Sequence, residues 1–384
     1  MSKKISFIST MGGFSWGGSE DLWAKAAKYA LIEGHTIQTI TFDWGTLPEK
    51  IEELKKCGAE TVLRKRLKPR GNSIISKIRY KIISEFSWFF LHFPVNRLKK
   101  FSPDHIIISQ GGTYDFIGIN ELYTWLIKNK KKYYIICQYN DEHRTLDKET
   151  ILKSIKVFSN ASTVFFVSER NKIVTERQLC YRFDNSIIIN NPVNIDSNDI
   201  IEYPYSTTTI LFAQVARLEC NFKGQDILLQ VLSNDKWKTR AWHLNLYGQG
   251  PDEDYIKNLV KFYQLEGRVS FCGHVNNIRE IWKVNHILLL PSLREGSPLA
   301  LAEAMVCGRM AVVTDVGGNT EFIEENISGY IADGANFNSF DKAMEKAWQA
   351  RDKWKDMGVN AHATIMAKIG LNPEKKLLKN ILIS

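Results

Sequence analysis

Six cysteines in 384 residues, no two of them in a CxxC pair, give neither a disulfide framework nor a zinc-ribbon spacing. They are Cys57, Cys137, Cys180, Cys220, Cys272 and Cys307, most of them in apolar contexts, and are expected to be reduced residues in or near a core. The eight histidines show no metal-ligand spacing, so no metal site is expected. No apolar run approaches the roughly 20 residues of a membrane span. The opening "MSKKISFIST" runs straight into a strand-like pattern without the apolar core of a signal peptide, and the expectation is a cytoplasmic chain. The glycine-rich "GGFSWGG" lacks G-x-G-x-x-G, which argues against a dehydrogenase. There is no internal repeat and no low-complexity tract.

The chain is long enough for two domains. Hydrophobic residues make up 44% and charged residues 24%, as in ordinary globular proteins. Lysine and arginine number 51 against 42 acids, a net charge of +9 that favours anionic partners without choosing among phosphates, acidic lipid and nucleic acid.

"KISFIS", a glycine loop, a helical pattern from Leu22 to Leu31 stopped by Gly34, and "HTIQTITF" begin a doubly wound α/β domain. "DHIIIS", "YYIIC", "STVFFVS" and "SIIIN" continue it to Asn191-Pro192. After a polar stretch the alternation restarts with "TILFAQ", "AWHLNLYG", "RVSFCG", "HILLLP" and "MAVVT", a second parallel-sheet domain. The expected layout is a first domain over 1–195, a linker over 196–208, a second domain over 209–365 and a helical tail over 366–384 that can pack back on the first domain. One insertion, 64–101, breaks the pattern. Basic residues there flank Phe86, Trp88, Phe89, Phe90 and Phe93. Two readings stay open: a segment lying at an anionic membrane surface, or a basic helix packing its aromatic face on its own domain.

"PSLREGSPLALAEAMVCG" is the most informative stretch. "HILLLP" is a buried strand, and open α/β sheets bind ligands beyond the carboxyl ends of their strands. Ser297 is an expected N-cap, Pro298 an expected first helical residue, and Gly308 a stop. Leu299 and Ala300 would then offer free backbone N–H groups at a helix N-terminus, which attracts anions. Glu295 stands beside that terminus and Glu303 lies about a turn and a half into the helix. Carboxylates accept hydrogen bonds from hydroxyls, so two acids beside a phosphate-binding helix end suit a phosphorylated sugar. The competing reading is structural: Glu295 bracing its own loop and Glu303 paired with a buried arginine.

Other features converge on the same sheet edge. Arg217 and Lys223, after "TILFAQ", suit a diphosphate. "YGQGP", "CGHV" and "DVGGNTEFI" place glycines after later strands, where backbone can approach a ligand closely. The acids of "PDEDY" are read as starting a helix rather than as a metal-binding D-x-D.

The E-x7-E segment "EGSPLALAE", with "VARLECNFKGQDILL" before it and "VGGNTEFI" after it, resembles the retaining glycosyltransferases of family 4, of the glycosyl transferases group 1 type. "GGSE" and "NNPV" extend the resemblance into the first half. It implies a GT-B fold, two Rossmann-like domains facing across a cleft. It implies that Glu303 holds the ribose diol of a nucleotide-diphosphate sugar, and that Glu295 contacts hydroxyls of the transferred sugar. Arg217 and Lys223 would bind the diphosphate and stabilise it as a leaving group. Backbone at Ser297, Pro298, Leu299 and Ala300, with Gly248, would contact sugar and phosphate; Gly17 and Gly18 would approach the diphosphate; His274 and Val275 would lie near the base. No metal and no cofactor are implied, since cationic side chains and helix ends neutralise the leaving charge.

One departure stands out. Many members carry a histidine directly after the strand that "YYIIC" resembles, whereas here "QYNDEH" follows. Gln138, Tyr139, Asp141 and His143 are acceptor-site candidates, and the alternative is a polar loop on the cleft wall. Phe14 and Trp16 can stack on an acceptor sugar or pack beneath their loop. The expected partners are a nucleotide-sugar donor and a saccharide or lipid-linked acceptor, with no nucleic acid, and the expected activity is retaining sugar transfer. A nucleotide-sugar epimerase and a non-catalytic nucleotide-sugar-binding protein are the alternatives.

Overall fold

A computed structural model of the chain describes residues 1–65, 93–195, 198–204, 208–370 and 372–383. Phe86, Trp88, Phe89 and Phe90 lie outside the described residues; Phe93 is inside and buried in a core cluster. The chain forms two compact units, Met1–Pro192 with Asn372–Ser384, and Val193–Leu371.

The first unit is built on a parallel sheet. Its strands are β1 (Lys4–Ser9), β2 (Thr36–Phe42), β3 (Glu60–Arg64), β4 (His105–Gly112), β5 (Lys132–Tyr139), β6 (Thr163–Phe166) and β7 (Ser186–Ile188). Their order is β3-β2-β1-β4-β5-β6-β7. The strands are covered on both faces, which is why they read as continuous apolar runs. Ile106 and Ile108 point to one core cluster and Ile107 to another, the period-2 alternation of a strand. The helix Gly18–Ile32 buries Leu22, Trp23, Ala26, Ala27 and Ala30 on one of those faces. The last helix, Pro373–Ile383, packs there too. Leu377, Leu378 and Ile381 are buried, and the Tyr134 hydroxyl donates to the Ile381 carbonyl at 3.0 Å.

The second unit repeats the plan with β8 (Ile210–Val215), β9 (Trp242–Tyr247), β10 (Val269–Gly273), β11 (Ile287–Leu290), β12 (Ala311–Thr314) and β13 (Gly329–Ala332). Their order is β10-β9-β8-β11-β12-β13, again parallel. Leu289 and Val312 join one core with Phe212, Trp237, Trp242 and Trp354; Leu288, Leu290 and Val313 join the other. The helix Trp354–Lys368 belongs to this unit, so the division falls after residue 371 rather than at 365. In both sheets the strand order reverses between the first and fourth strands. That reversal is the topological switch point, where such sheets take ligands.

The sequence reading missed β3 and β13. "ETVLR" is an edge strand carrying Glu60 and Arg64, and "GYIA" has one β-branched residue in four. The six cysteines are all free, but Cys57, Cys180 and Cys272 are exposed rather than in a core. No helix among the described residues is long and apolar enough to cross a membrane.

Charge also holds the second unit together. Glu345 bonds Arg240 at 2.8 Å and Lys236 at 3.2 Å, beside Asp341, and the Arg240 and Lys236 bonds hold its carboxyl down to about 2. A lowered folded pKa contributes stability that is present above the unfolded value and lost as pH falls through the folded one. Glu345→Gln is therefore expected to cost roughly 1 kcal/mol at pH 7, a figure discounted for solvent screening. The difference from wild type should vanish as pH drops from about 5 towards 2 in urea unfolding. A gap unchanged across that range would contradict the ion-pair account.

Candidate active site

The loops after β8 and β11 flank the switch point of the second sheet, because those strands are neighbours. The first loop carries Arg217 and leads through the short helix Cys220–Lys223. The second runs from Pro291 to Pro298 and carries Glu295. Backbone joins them: the Leu293 N–H donates to the Phe222 carbonyl at 2.9 Å and the Arg294 N–H to the same oxygen at 3.3 Å. Two buried glutamines fix the first loop from below. Gln214 donates to the Lys223 carbonyl and Gln225 to the Arg217 carbonyl, both at 2.9 Å. Asp252 accepts from the Cys220 N–H at 2.8 Å. Asp252 stands at the N-cap position of Glu253–Phe262, as expected, but its side chain makes no cap bond there and serves the Cys220–Lys223 segment instead.

The result is a short ion pair at the sheet edge. Lys223 Nζ lies 2.6 Å from Glu295 Oε1, and Ser292 Oγ donates to the same oxygen at 2.7 Å. The Ser292 carbonyl in turn accepts from Thr314 Oγ1 at 2.5 Å. Glu295 is 8% exposed, and a carboxylate so placed is costly unless paired. Glu295 is therefore braced within its own loop by Ser292 and paired with Lys223 across the two loops. Arg217 Nη1 lies 3.2 Å from Glu219 Oε2, which keeps the guanidinium at the loop.

Two glycines make this geometry possible. Gly317, at φ +49°, lies so close to the Glu295 backbone that a Cβ would stand 2.1 Å from the Glu295 carbonyl oxygen. Gly248, at φ +131°, has the same relation to the Ala216 carbonyl. Any side chain at either position would push the Arg217 or Glu295 loop outward.

The helix that follows spans Leu299–Val306. Pro298 is its N-cap rather than its first residue, and no side chain caps it, so Ser297 does not act as expected. The physical reason lies in Pro298 itself: at ψ 94° it is still extended, so the helix begins one residue later. The orphan N–H groups at Leu299 and Ala300 remain, as at any helix start. Glu303 is 6% exposed in this otherwise apolar helix. Arg217, Lys223, Gly248, Glu295, Ser297–Ala300 and Glu303 thus gather around the ends of β8, β9 and β11. His274 and Val275 follow β10, two strands away from β8.

The remaining candidates belong to the first unit. Gly17 is the N-cap of the helix Gly18–Ile32, with the Phe14 ring packed against it. Trp16 donates to Asp21 at 3.1 Å and packs on Trp23, so it lies partly beneath its loop. Gln138 is buried, and its Oε1 accepts from Asn191 at 2.9 Å. Tyr139 is half-buried. Asp141 Oδ1 accepts from the His143 N–H at 3.1 Å, and His143 is exposed. Gln178 pins this loop by donating to the Asp141 and Arg144 carbonyls.

The sequence reading missed Ser292 and Glu219. Only the position of each, at a strand end and two residues after Arg217, hinted at a role. Chemically the cluster offers two cations and a helix N-terminus for a diphosphate, with two buried carboxylates for hydroxyls.

Residues 198–364 match the family model described as Glycosyl transferases group 1. Poly(ribitol-phosphate) alpha-N-acetylglucosaminyltransferase of Staphylococcus aureus is 26% identical over 65% of this chain and 50% of its own. UDP-Gal:alpha-D-GlcNAc-diphosphoundecaprenol alpha-1,3-galactosyltransferase of Escherichia coli is 31% identical over 24% of this chain and 25% of its own. The chain spans half or less of the length of these and other curated relatives. The crystal structure of Anabaena HepE in complex with UDP superposes with a TM-score of 0.72 at 15% identity, over 99% of this chain and 100% of that one.

Proposed function

We propose, from the match of residues 198–364 to the family model described as Glycosyl transferases group 1, that the chain is a retaining glycosyltransferase moving a sugar from a nucleotide-diphosphate sugar to a saccharide or lipid-linked acceptor. The observation that carries this reading is the cluster at the switch point: Lys223 2.6 Å from the buried Glu295, with Arg217 on the same loop as Lys223 and Glu303 on the helix that follows Glu295.

In this reading the bond from the anomeric carbon to the diphosphate oxygen breaks, and the departing charge falls to Arg217, Lys223 and the N–H groups of Leu299 and Ala300. The acceptor hydroxyl attacks on the face the diphosphate vacates, and its proton leaves with the diphosphate. Glu295 orients the hydroxyls of the sugar and Glu303 the ribose diol. No protein nucleophile, metal or cofactor takes part. UDP is the favoured carrier, supported by the structural neighbour solved with that nucleotide. Surface polysaccharide or glycolipid assembly is the favoured setting, supported by relatives named for a poly(ribitol-phosphate) acceptor and a diphosphoundecaprenol acceptor. The basic, aromatic-rich sequence between residues 64 and 101 suits peripheral contact with an anionic membrane at its cytoplasmic face.

Donor turnover followed by proton NMR tests this reading. The transferred sugar should keep the anomeric configuration it had in the donor, with EDTA present. Glu303→Ala should weaken nucleotide binding about 10- to 100-fold, the worth of charge-assisted hydrogen bonds. Glu295→Ala should lower transfer while leaving nucleotide affinity nearly intact. Equal nucleotide affinity in wild type and Glu303→Ala would contradict the ribose assignment. Donor converted to another nucleotide sugar without an acceptor would favour an epimerase, and donor bound but never consumed a binding protein.

A further inference from the structure

One neutral side chain in the cluster governs how Glu295 is presented. Ser292 lies two residues past the end of β11 and is fully buried. Its hydroxyl donates to Glu295 Oε1 at 2.7 Å, the oxygen that Lys223 Nζ also meets, at 2.6 Å. Both donors therefore converge on a single oxygen. Oε2 has no hydrogen-bond partner among the described residues and keeps some access to solvent. A carboxylate offers about four lone-pair sites over its two oxygens, so the acceptor capacity of Glu295 is used on one side and open on the other.

Ser292 is itself anchored from the neighbouring strand. The Thr314 hydroxyl, fully buried at the end of β12, donates to the Ser292 carbonyl at 2.5 Å. The Asn319 side chain donates to the Thr314 carbonyl at 3.0 Å. On the far side of Glu295, the Gly318 N–H donates to the Gly296 carbonyl at 2.9 Å. The backbone is thus tied before and after the glutamate. That tie alone does not choose between the two oxygens, because the terminal torsion of a glutamate is broad and roughly two-fold. Lys223 is a poor selector: it is a flexible stem with three rotatable donors, and a developing diphosphate charge would draw it away. Ser292 is short, neutral and buried, and the same charge does not move it.

We infer that Ser292, with Thr314 behind it, is a positioning residue for Glu295. It keeps Oε1 occupied and leaves Oε2 to accept from the hydroxyls of the transferred sugar, including while Lys223 turns to the leaving diphosphate. The sugar and the diphosphate rest on the transferase reading; the selection of one oxygen rests on the two donor distances.

Ser292→Ala, Thr314→Val and Thr314→Ser would be compared with the wild-type chain on UDP-glucose, UDP-galactose and UDP-N-acetylglucosamine. UDP release as the sugar passes to water gives kcat, and calorimetry on the same samples gives affinity for UDP and for each UDP-sugar. Ser292→Ala should lower kcat about 10- to 100-fold, the worth of a hydrogen bond to a charged group, with UDP affinity as in wild type. Thr314→Val should lose part of kcat and Thr314→Ser should restore it. On a Glu295→Ala background, Ser292→Ala should lower kcat no further, since its effect passes through that carboxylate. A loss of equal size on both backgrounds, or a Ser292→Ala kcat near that of wild type, overturns the inference. So does UDP affinity falling in step with kcat, because Ser292 would then hold the whole loop rather than one oxygen. Wild type that binds UDP and consumes none of the three donors counts against the transferase reading and not against Ser292, which affinity then judges. Binding of the UDP-sugars, but not of UDP, should weaken about tenfold in Ser292→Ala, and equal weakening of both overturns the positioning role. Wild type that binds neither UDP nor a UDP-sugar overturns both.

Discussion

Lys223→Ala should lower kcat by roughly a hundred- to a thousandfold, the usual cost of removing one preorganised charge from a developing anion. Its Nζ stands 2.6 Å from Glu295, so the side chain already lies at the site before any ligand arrives. The substitution has a second consequence. Glu295 would keep its bond from Ser292 but lose its counter-charge in a site that is 8% exposed. A buried carboxylate stripped of its partner destabilises the fold as well. The two effects separate in a double variant. Lys223→Met with Glu295→Gln removes both charges and should recover most of the lost stability, yet transfer should stay as low as in Lys223→Ala or lower. If the double variant regained activity along with stability, the ion pair would be structural and the diphosphate role wrong. Lys223→Ala with a kcat near that of wild type would contradict the role directly.

Arg309→Met should destabilise the second unit by about 3–5 kcal/mol, the range for breaking a buried charged network. Arg309 is fully buried and donates to six backbone carbonyls: Asn285, Ile201, Cys307, Gly308, Glu202 and Trp282. No carboxylate is within salt-bridge distance among the described residues, so carbonyl dipoles take its place. Its pKa falls to about 10 through desolvation, which still leaves it charged at neutral pH. The carbonyls come from three places: the segment at Ile201 and Glu202, the end of the helix Ile278–Val284, and the turn after the helix that carries Glu303. Methionine fills the volume but leaves these acceptors unsatisfied. Arg309→Lys should be only a partial remedy, because an ammonium has three donors and no planar fork. In a thermal melt the methionine variant should fall on the order of 10 °C. A fall of only a degree or two would show that water or neighbouring donors replace the guanidinium.

How far each feature was legible depends on the range of the interaction behind it. The strands at the heart of both sheets are covered on both faces, and four-residue runs such as "ILLL" and "AVVT" declare themselves. Edge strands such as β3 do not, because charged residues are tolerated where one side has no neighbour. Glu295 and Glu303 were visible because an acid in an apolar stretch needs a reason, and the helix beside them follows a strand. The pairing of Glu295 with Lys223 was not visible. The two are 72 residues apart, and only the reversal of strand order makes their loops adjacent. Arg309 looked like one of 51 basic residues, and its six carbonyl partners come from segments up to 108 residues away.

The central claim is that the cluster at β8 and β11 binds a nucleoside diphosphate through its own side chains. It is tested most directly by melting the protein with UDP, GDP, ADP and their sugar conjugates, in EDTA. At about a hundred times its dissociation constant, a ligand adds roughly 2.7 kcal/mol of stability. The expected result is a rise of several degrees with one nucleotide and its conjugates, retained in EDTA and reduced in Glu303→Ala. No rise with any of them would mean that Arg217, Lys223, Glu295 and Glu303 hold only the fold, and the account would fail.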